Sequence, residues 1–222
     1  MNIEFCFFHI EKCAGSSIKQ MLFEYFEKIY DTKYILDYNL TTVNDLLYIQ
    51  QLNCKVLLGH CNFNETNITD SFSKTCCSII CVREPMERWL SHYYYFMNPT
   101  RKFCELSDDE INNLFNLHIC NLLTIKLSGY NYCLQTALIN LKSINCILIF
   151  DQLSNDIGLL ENKLNEITNT TYNLILPITN VSNSYSKDDY IRIQQFKHIF
   201  EDDIQIYNHI LNLNNNDRFK YL

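Results

Sequence analysis

Four stretches of this chain are apolar over a strand's length: residues 3–10 (IEFCFFHI), 55–59 (KVLLG), 77–82 (CSIICV) and 146–150 (CILIF). None follows a strict polar–apolar alternation, so each needs cover on both faces, as strands of a parallel sheet have. A weaker fifth run lies at residues 173–176. Between them, residues 18–29, 85–96, 108–127, 155–167 and 187–211 carry helical patterns. In the first, Met21, Leu22, Tyr25, Phe26 and Ile29 recur at helical spacing. Pro85 suits the first position of its helix, where the missing N–H costs nothing. Ser107, followed by Asp108, Asp109 and Glu110, predicts an N-terminal cap. Strands alternating with helices predict an α/β fold: a single domain over residues 1–222, with a central parallel sheet flanked by helices. Four glycines and three prolines in 222 residues leave little room for a linker, and no internal repeat is visible. Residues 214–216 (NNN) read as a loop.

Composition narrows the function. Hydrophobic residues make up 47% and charged residues 19%, which excludes a disordered or fibrous chain. A net charge of −7 argues against a nonspecific nucleic-acid binder, but it leaves room for a local basic cluster around one phosphorylated ligand. The eleven cysteines are an odd number, and several, such as Cys6, Cys81 and Cys146, sit inside apolar runs where a thiol packs as a small hydrophobe. Cys76 and Cys77 are adjacent rather than in a CxxC, and no spacing matches a zinc site. The expectation is reduced thiols, a reducing compartment and no metal. No segment approaches the ~20 apolar residues of a membrane span. The N-terminus lacks the pattern of an export signal. The chain therefore reads as cytoplasmic or otherwise soluble. Asn64, Asn67, Asn169 and Asn180 head glycosylation sequons, which an Asn-rich chain produces by chance.

Three constellations carry chemistry. In FFHIEKCAGSS (residues 7–17) a strand ends, a small-residue turn follows, and a helix begins. Such a turn aims backbone N–H groups and a helix N-terminus at one point, which favours an anion. Lys12 adds a positive charge, Ser16 or Ser17 a hydroxyl donor, and the small residues at 14 and 15 let a phosphate approach the backbone. The order differs from GxxxxGK[ST], because Lys12 precedes the Gly-Ser-Ser. Taken alone, the segment reads equally well as an ordinary strand–helix turn. In VREPMERWLSHYYYF (residues 82–96), Arg83 follows a buried strand, at the edge where open parallel sheets bind ligands, and Arg88 and Ser91 share a helix face. Arg83 and Ser91 suit a second phosphate; the competing reading pairs Arg83 with Glu84 or Glu87, with Trp89, Leu90 and Tyr93 as core. In LLGHCNF (residues 57–63), His60 follows the second strand on the same edge as Lys12 and Arg83. A lone histidine is more often structural, but three such groups at three strand ends favour a base for a hydroxyl acceptor.

These segments resemble the sulfotransferases that use 3′-phosphoadenosine 5′-phosphosulfate (PAPS). Residues 7–17 are similar to their 5′-phosphosulfate loop, usually close to FFHIPKTGGTS. Residues 82–96 are similar to their 3′-phosphate motif, usually RDPxERxxSxYxYF, with the Arg83-to-Ser91 spacing kept. GHCNF (residues 59–63) resembles the segment bearing the catalytic histidine in the uronyl and heparan sulfate 2-O-sulfotransferase branch. LPITNVSNS (residues 176–184) and FEDDIQIYNHI (residues 200–210) resemble the family's LPxxNxS loop and terminal helix. The likeness runs, thinly in the middle, from about residue 5 to residue 210. Glu11 stands where the family usually has Pro, Cys13 where it has Thr, and Ala14 where it has Gly.

The resemblance implies a P-loop nucleotide-kinase-like sulfotransferase fold and in-line transfer of a sulfuryl group from PAPS to a hydroxyl, most often on a carbohydrate. 3′-Phosphoadenosine 5′-phosphate (PAP) would be the product, and no metal is needed. It implies Lys12, Cys13, Ala14, Gly15, Ser16 and Ser17 around the phosphosulfate, Arg83 and Ser91 on the 3′-phosphate, and Asn180, Ser182 and Asn183 over the donor. Lys12 and His60 would be catalytic, with His60 the general base. Partners would be the small-molecule donor and a glycan acceptor, with no nucleic acid and no membrane span. The alternatives are a family member that binds a nucleotide or glycan without catalysis and, less favoured, a small-molecule kinase.

Overall fold

A computed structural model describes residues 3–38, 54–60, 72–96, 99–129, 132–177 and 185–220. Five strands, Ile3–Phe8 (β1), Ile35–Tyr38 (β2), Val56–Gly59 (β3), Phe72–Val82 (β4) and Cys146–Ile149 (β5), form one parallel sheet in the order β2-β3-β1-β4-β5. β1 lies at its centre, with Phe8 level with Gly59 on one side and Ile80 on the other. Phe5, Cys6, Phe7 and Phe8 are all buried, so both faces of β1 are covered, as its unbroken apolar run requires.

The helices are Gly15–Phe26 (α1), Pro85–Phe96 (α2), Asp108–Leu117 (α3), Leu122–Ser128 (α4), Leu134–Leu141 (α5), Leu153–Thr168 (α6), Lys187–Gln194 (α7), Glu201–Leu211 (α8) and Asn215–Arg218 (α9). They flank the sheet in a single α/β domain. α1 buries Ile18, Met21, Leu22, Tyr25 and Phe26, and Phe26 meets Phe5 of β1 at 4.6 Å between ring centroids. A second apolar cluster joins α2, α3 and α7 around Trp89, whose ring lies 4.9 Å from Phe115 and 5.5 Å from Phe103. Trp89, Leu90 and Tyr93 are therefore core residues. Every described cysteine is a free thiol. Among the described residues, no helix is long and apolar enough to cross a membrane.

Several elements depart from the sequence expectation, each for a tertiary reason. Residues 173–176 are not a strand. The Leu174 N–H is taken by the Glu161 carboxylate of α6 at 2.6 Å, and Tyr172 is held by Asn165, so this segment lies along a helix instead of a strand. The fifth strand is β2, at the sheet edge, where an exposed Asp37 interrupts the apolar signal. The predicted helix 108–127 breaks between α3 and α4. There the Arg88 guanidinium donates to the Ile119 and Cys120 carbonyls, while the buried Asp203 accepts from Leu123 N–H and Thr124 N–H at 2.9 and 2.7 Å and so caps α4. Helix 187–211 likewise divides into α7 and α8 around a tight turn, Lys197–Phe200, that buries Phe200. α5 lies outside the sequence expectation altogether.

The C-terminal turn is fastened by a buried ion pair. Arg218 donates to both Asp156 oxygens, at 2.7 and 2.9 Å, and Asp156 also accepts the Ile149 N–H at the end of β5. Removing one partner would leave the other charge buried and unpaired. Arg218→Ala is expected to lower the unfolding free energy by about 3–5 kcal/mol, measured by urea denaturation.

Candidate functional site

β3, β1 and β4 are neighbours, so the segments leaving their carboxyl ends emerge side by side. His60 follows β3, the turn 9–14 follows β1, and Arg83 follows β4. Lys12, His60 and Arg83 thus share one edge of the sheet, where Lys12 and Arg83 are neighbours and His60 contacts His9 and Glu11.

The turn after β1 is built from unusual backbone. Lys12 and Ala14 have φ of 66° and 56°, in the left-handed region that favours glycine. Ala14 is the N-cap of α1, contributes no side-chain cap, and is followed by no acidic residue in the first turn. The positive end of the α1 dipole is therefore not answered by an acidic side chain of its own first turn, which suits an anionic ligand. Cys13 is directed inward. Its thiol is buried and pushed up to about 12 by that burial, so toward a ligand it offers backbone alone. Ser16 is half-buried on the first turn, and Ser17 is buried.

Gly15 is needed for a reason the sequence does not display. A Cβ there would fall 1.7 Å from Cδ2 of His9, whose ring fills the space beside it. His9 is buried, and burial, followed by the nearby His60, pushes it down to about 3, so it is a neutral packing ring at physiological pH. His9 in turn stacks on His60, with centroids 3.9 Å apart.

His60 is the partly exposed member of this stack. Its Nδ1 lies 3.0 Å from the His9 carbonyl oxygen and 3.3 Å from Oε1 of Glu11. A carbonyl oxygen can only accept, so Nδ1 carries the proton and the neutral ring keeps its lone pair on Nε2. Glu11 also meets Lys126 of α4 at 3.9 Å. Burial works against its ionisation, but the hydrogen bond from His60 and the Lys126 charge outweigh it and hold the carboxyl at about 2.

Lys12 Nζ sits 3.6 Å above the centre of the Tyr95 ring, in the last turn of α2, and burial followed by the charge of Arg83 lowers its pKa. Arg83 is mostly buried. Its guanidinium lies over Phe150 at 4.3 Å and donates to Tyr185 Oη at 3.3 Å and to the Lys12 carbonyl at 3.5 Å. It also meets Glu87 at 3.5 Å, one of the two carboxylates the sequence offered. The other, Glu84, instead accepts the Glu87 N–H at 2.7 Å and caps α2. Ser91 and Arg88 are both buried on α2, and Arg88 braces the α3–α4 connection. Asn180, Ser182 and Asn183 lie outside the described residues, as do residues 61–63 of the His60 segment.

The sequence reading missed three parts of this arrangement: His9 as the ring beneath His60, Glu11 as its carboxylate neighbour, and Lys126. The first two lie within residues 7–17 and were visible there as a titratable pair flanking Ile10; nothing in the local sequence marks Lys126. No family model, no curated protein and no solved structure matches the chain.

Two expected outcomes follow from these contacts. Gly15→Ala should displace the His9 ring and lower stability by about 1–3 kcal/mol in urea denaturation. The carboxyl of Glu84 is pushed up to about 7, chiefly by burial, from an ordinary value of 4.5. The folded state thus holds a proton that the unfolded state releases, and Glu84 destabilises the fold as pH rises from about 4.5 to about 7. Glu84→Gln keeps an oxygen for the cap and removes that cost. It should be more stable than the native protein by about 1–2 kcal/mol at pH 8 and equal to it at pH 4, measured by thermal melts at both pH values.

Proposed function

We propose that this protein is a sulfotransferase that moves a sulfuryl group from PAPS to a hydroxyl, on a carbohydrate acceptor, within a P-loop nucleotide-kinase-like sulfotransferase fold. The observation that carries the reading is the placement, at three adjacent strand ends, of an anion-suited turn, a basic pair (Lys12 and Arg83) and a histidine whose Nδ1 faces a carbonyl oxygen, which leaves the lone pair on Nε2. The chain residues fit the donor. The left-handed turn at Lys12 and Ala14 leads into a helix start with no acidic side chain, as a phosphosulfate group needs. Arg83 lies beside the Lys12 carbonyl, within reach of a ligand that spans both groups.

PAPS supplies the activated sulfuryl group. Cys13, Ala14 and Gly15 hold the phosphosulfate through backbone N–H groups, and Ser16 and Ser17 add hydroxyls. Lys12 offsets the charge that grows on the leaving 5′-phosphate oxygen. Arg83 and Ser91 bind the 3′-phosphate, with Arg83 exchanging Glu87 for the ligand. His60 takes the acceptor's hydroxyl proton on Nε2 as the oxygen attacks sulfur. Positioning and charge stabilisation supply most of the rate, as in phosphoryl transfer. One contact favours a second reading, a member that binds PAP without transfer: the Glu87 carboxylate already occupies Arg83.

Calorimetric titration with PAP, ATP and adenosine 5′-phosphate separates these readings. PAP should bind at micromolar or tighter affinity, in preference to the other two. Arg83→Ala should weaken PAP far more than adenosine 5′-phosphate. His60→Ala should lower turnover by roughly 10²–10⁴ with PAP affinity unchanged. Failure of the folded protein to bind PAP would overturn both readings, and PAP binding without transfer to a panel of glycan acceptors would select the second.

A further inference from the structure

The resemblance leaves Glu11 unexplained: a carboxylate stands beside a turn suited to anions, where a proline is usual. The contacts give it a different task from meeting the donor. Its Oε1 is shared between His60 Nδ1, at 3.3 Å, and Lys126 Nζ, at 3.9 Å, while Oε2 is buried with no hydrogen-bond partner among the described residues. The carboxylate therefore spends its charge on the histidine and on the α4 lysine. The His60 ring is further held by the His9 carbonyl at 3.0 Å and by stacking on the buried His9 ring.

We propose that Glu11 is the positioning residue of His60, its carboxylate holding the Nδ1 edge of the ring and offsetting the positive charge the ring acquires when Nε2 takes a proton. The inference rests on the sulfotransferase reading for its catalytic meaning. In that reaction His60 Nε2 receives the acceptor's O–H proton as the acceptor's oxygen–sulfur bond forms. The bond between sulfur and the 5′-phosphate oxygen breaks, and its electron pair leaves with PAP. His60 becomes an imidazolium, and a fixed carboxylate within hydrogen-bonding distance stabilises that state much more than the neutral ring. Lys126 tempers the effect and keeps the buried carboxylate paired. Among the described residues, the other charged and titratable groups facing this cluster are His9, Lys12 and Cys13 in the segment after β1, His92 on α2 and Lys19 on α1. His9 and His92 are both pushed down, to about 3 and about 4, by burial foremost, so neither competes for the proton near neutral pH.

Two variants test the idea with separate readouts. Glu11→Gln keeps the shape and removes the charge, and Glu11→Ala removes both. Transfer assays should show kcat lower by about 10–100-fold in Glu11→Gln, with KM for PAPS and the Kd of PAP within about twofold of native. In ¹⁵N NMR of the ring nitrogens, the Nδ1–H form of His60 should lose ground to the Nε2–H form in both variants, with thermal melts showing that they remain folded. An unchanged His60 signal in both folded variants would overturn the inference whatever the enzyme assay gives. So would tighter PAP binding with undiminished kcat in Glu11→Gln, the result expected if Glu11 merely repels the donor. Failure of the sulfotransferase reading is seen elsewhere, in native protein that does not bind PAP, so the two failures are distinguishable.

Discussion

β1 runs through the middle of the sheet, buried on both faces, and its position determines what can happen at the sheet's carboxyl edge. Because β3 and β4 pair directly with it, their exits open onto the same surface as the turn after Phe8. That turn has little freedom. It must carry Lys12 and Ala14 through left-handed backbone, start α1 at Gly15 and leave room for the His9 ring, all within a few residues of a buried strand. Two further constraints follow. Position 15 can bear no side chain, and the carbonyls of His9 and Lys12 face outward far enough to accept from His60 and Arg83. The geometry of the site is thus largely the geometry of one turn.

Electrostatics complete it. The chain is acidic overall, yet Glu11, Glu87 and Glu84 near this edge are each either answered by a cation or kept from ionising easily. Glu11 sits between His60 and Lys126, Glu87 lies against Arg83, and Glu84 is buried enough that its carboxyl is pushed up to about 7. Two basic groups, Lys12 and Arg83, are close enough that Arg83 helps to lower the pKa of Lys12, an unfavourable juxtaposition that a shared anion would relieve. Stacking of Lys12 on Tyr95 and of Arg83 on Phe150 offsets part of that cost without a counter-charge.

Much of this was readable from the residues in order, and the parts that were not share a cause. α2 was placed to the residue, because Pro85 marks its first turn and its apolar pattern is unbroken. The central strands were legible because burial on both faces leaves no polar positions to confuse the pattern. The α3–α4 break was not, because it is made by Arg88 and Asp203, groups distant in sequence that supply partners for backbone a continuous helix would have bonded to itself. β2 escaped notice because an edge strand is half exposed and carries Asp37. At the carboxyl edge, the positions of Lys12, His60 and Arg83 after strands are legible because each follows an apolar run. Lys126 was out of reach, since nothing about residue 126 in its own helix hints that it lies beside Glu11.

The sequence by itself determined the fold class, where four of the five strands lie along the chain and which short segments follow them, because hydrophobic periodicity and small-residue turns are local properties. Tertiary structure decided which groups at that edge touch. It turned Glu11 toward His60 and Lys126 instead of toward an anion, put Glu87 rather than Glu84 on Arg83, and buried Cys13 and Ser91. Hydrogen bonds and charges act through space over a few ångströms. Partners brought within that distance by packing carry no signature in the residues beside them.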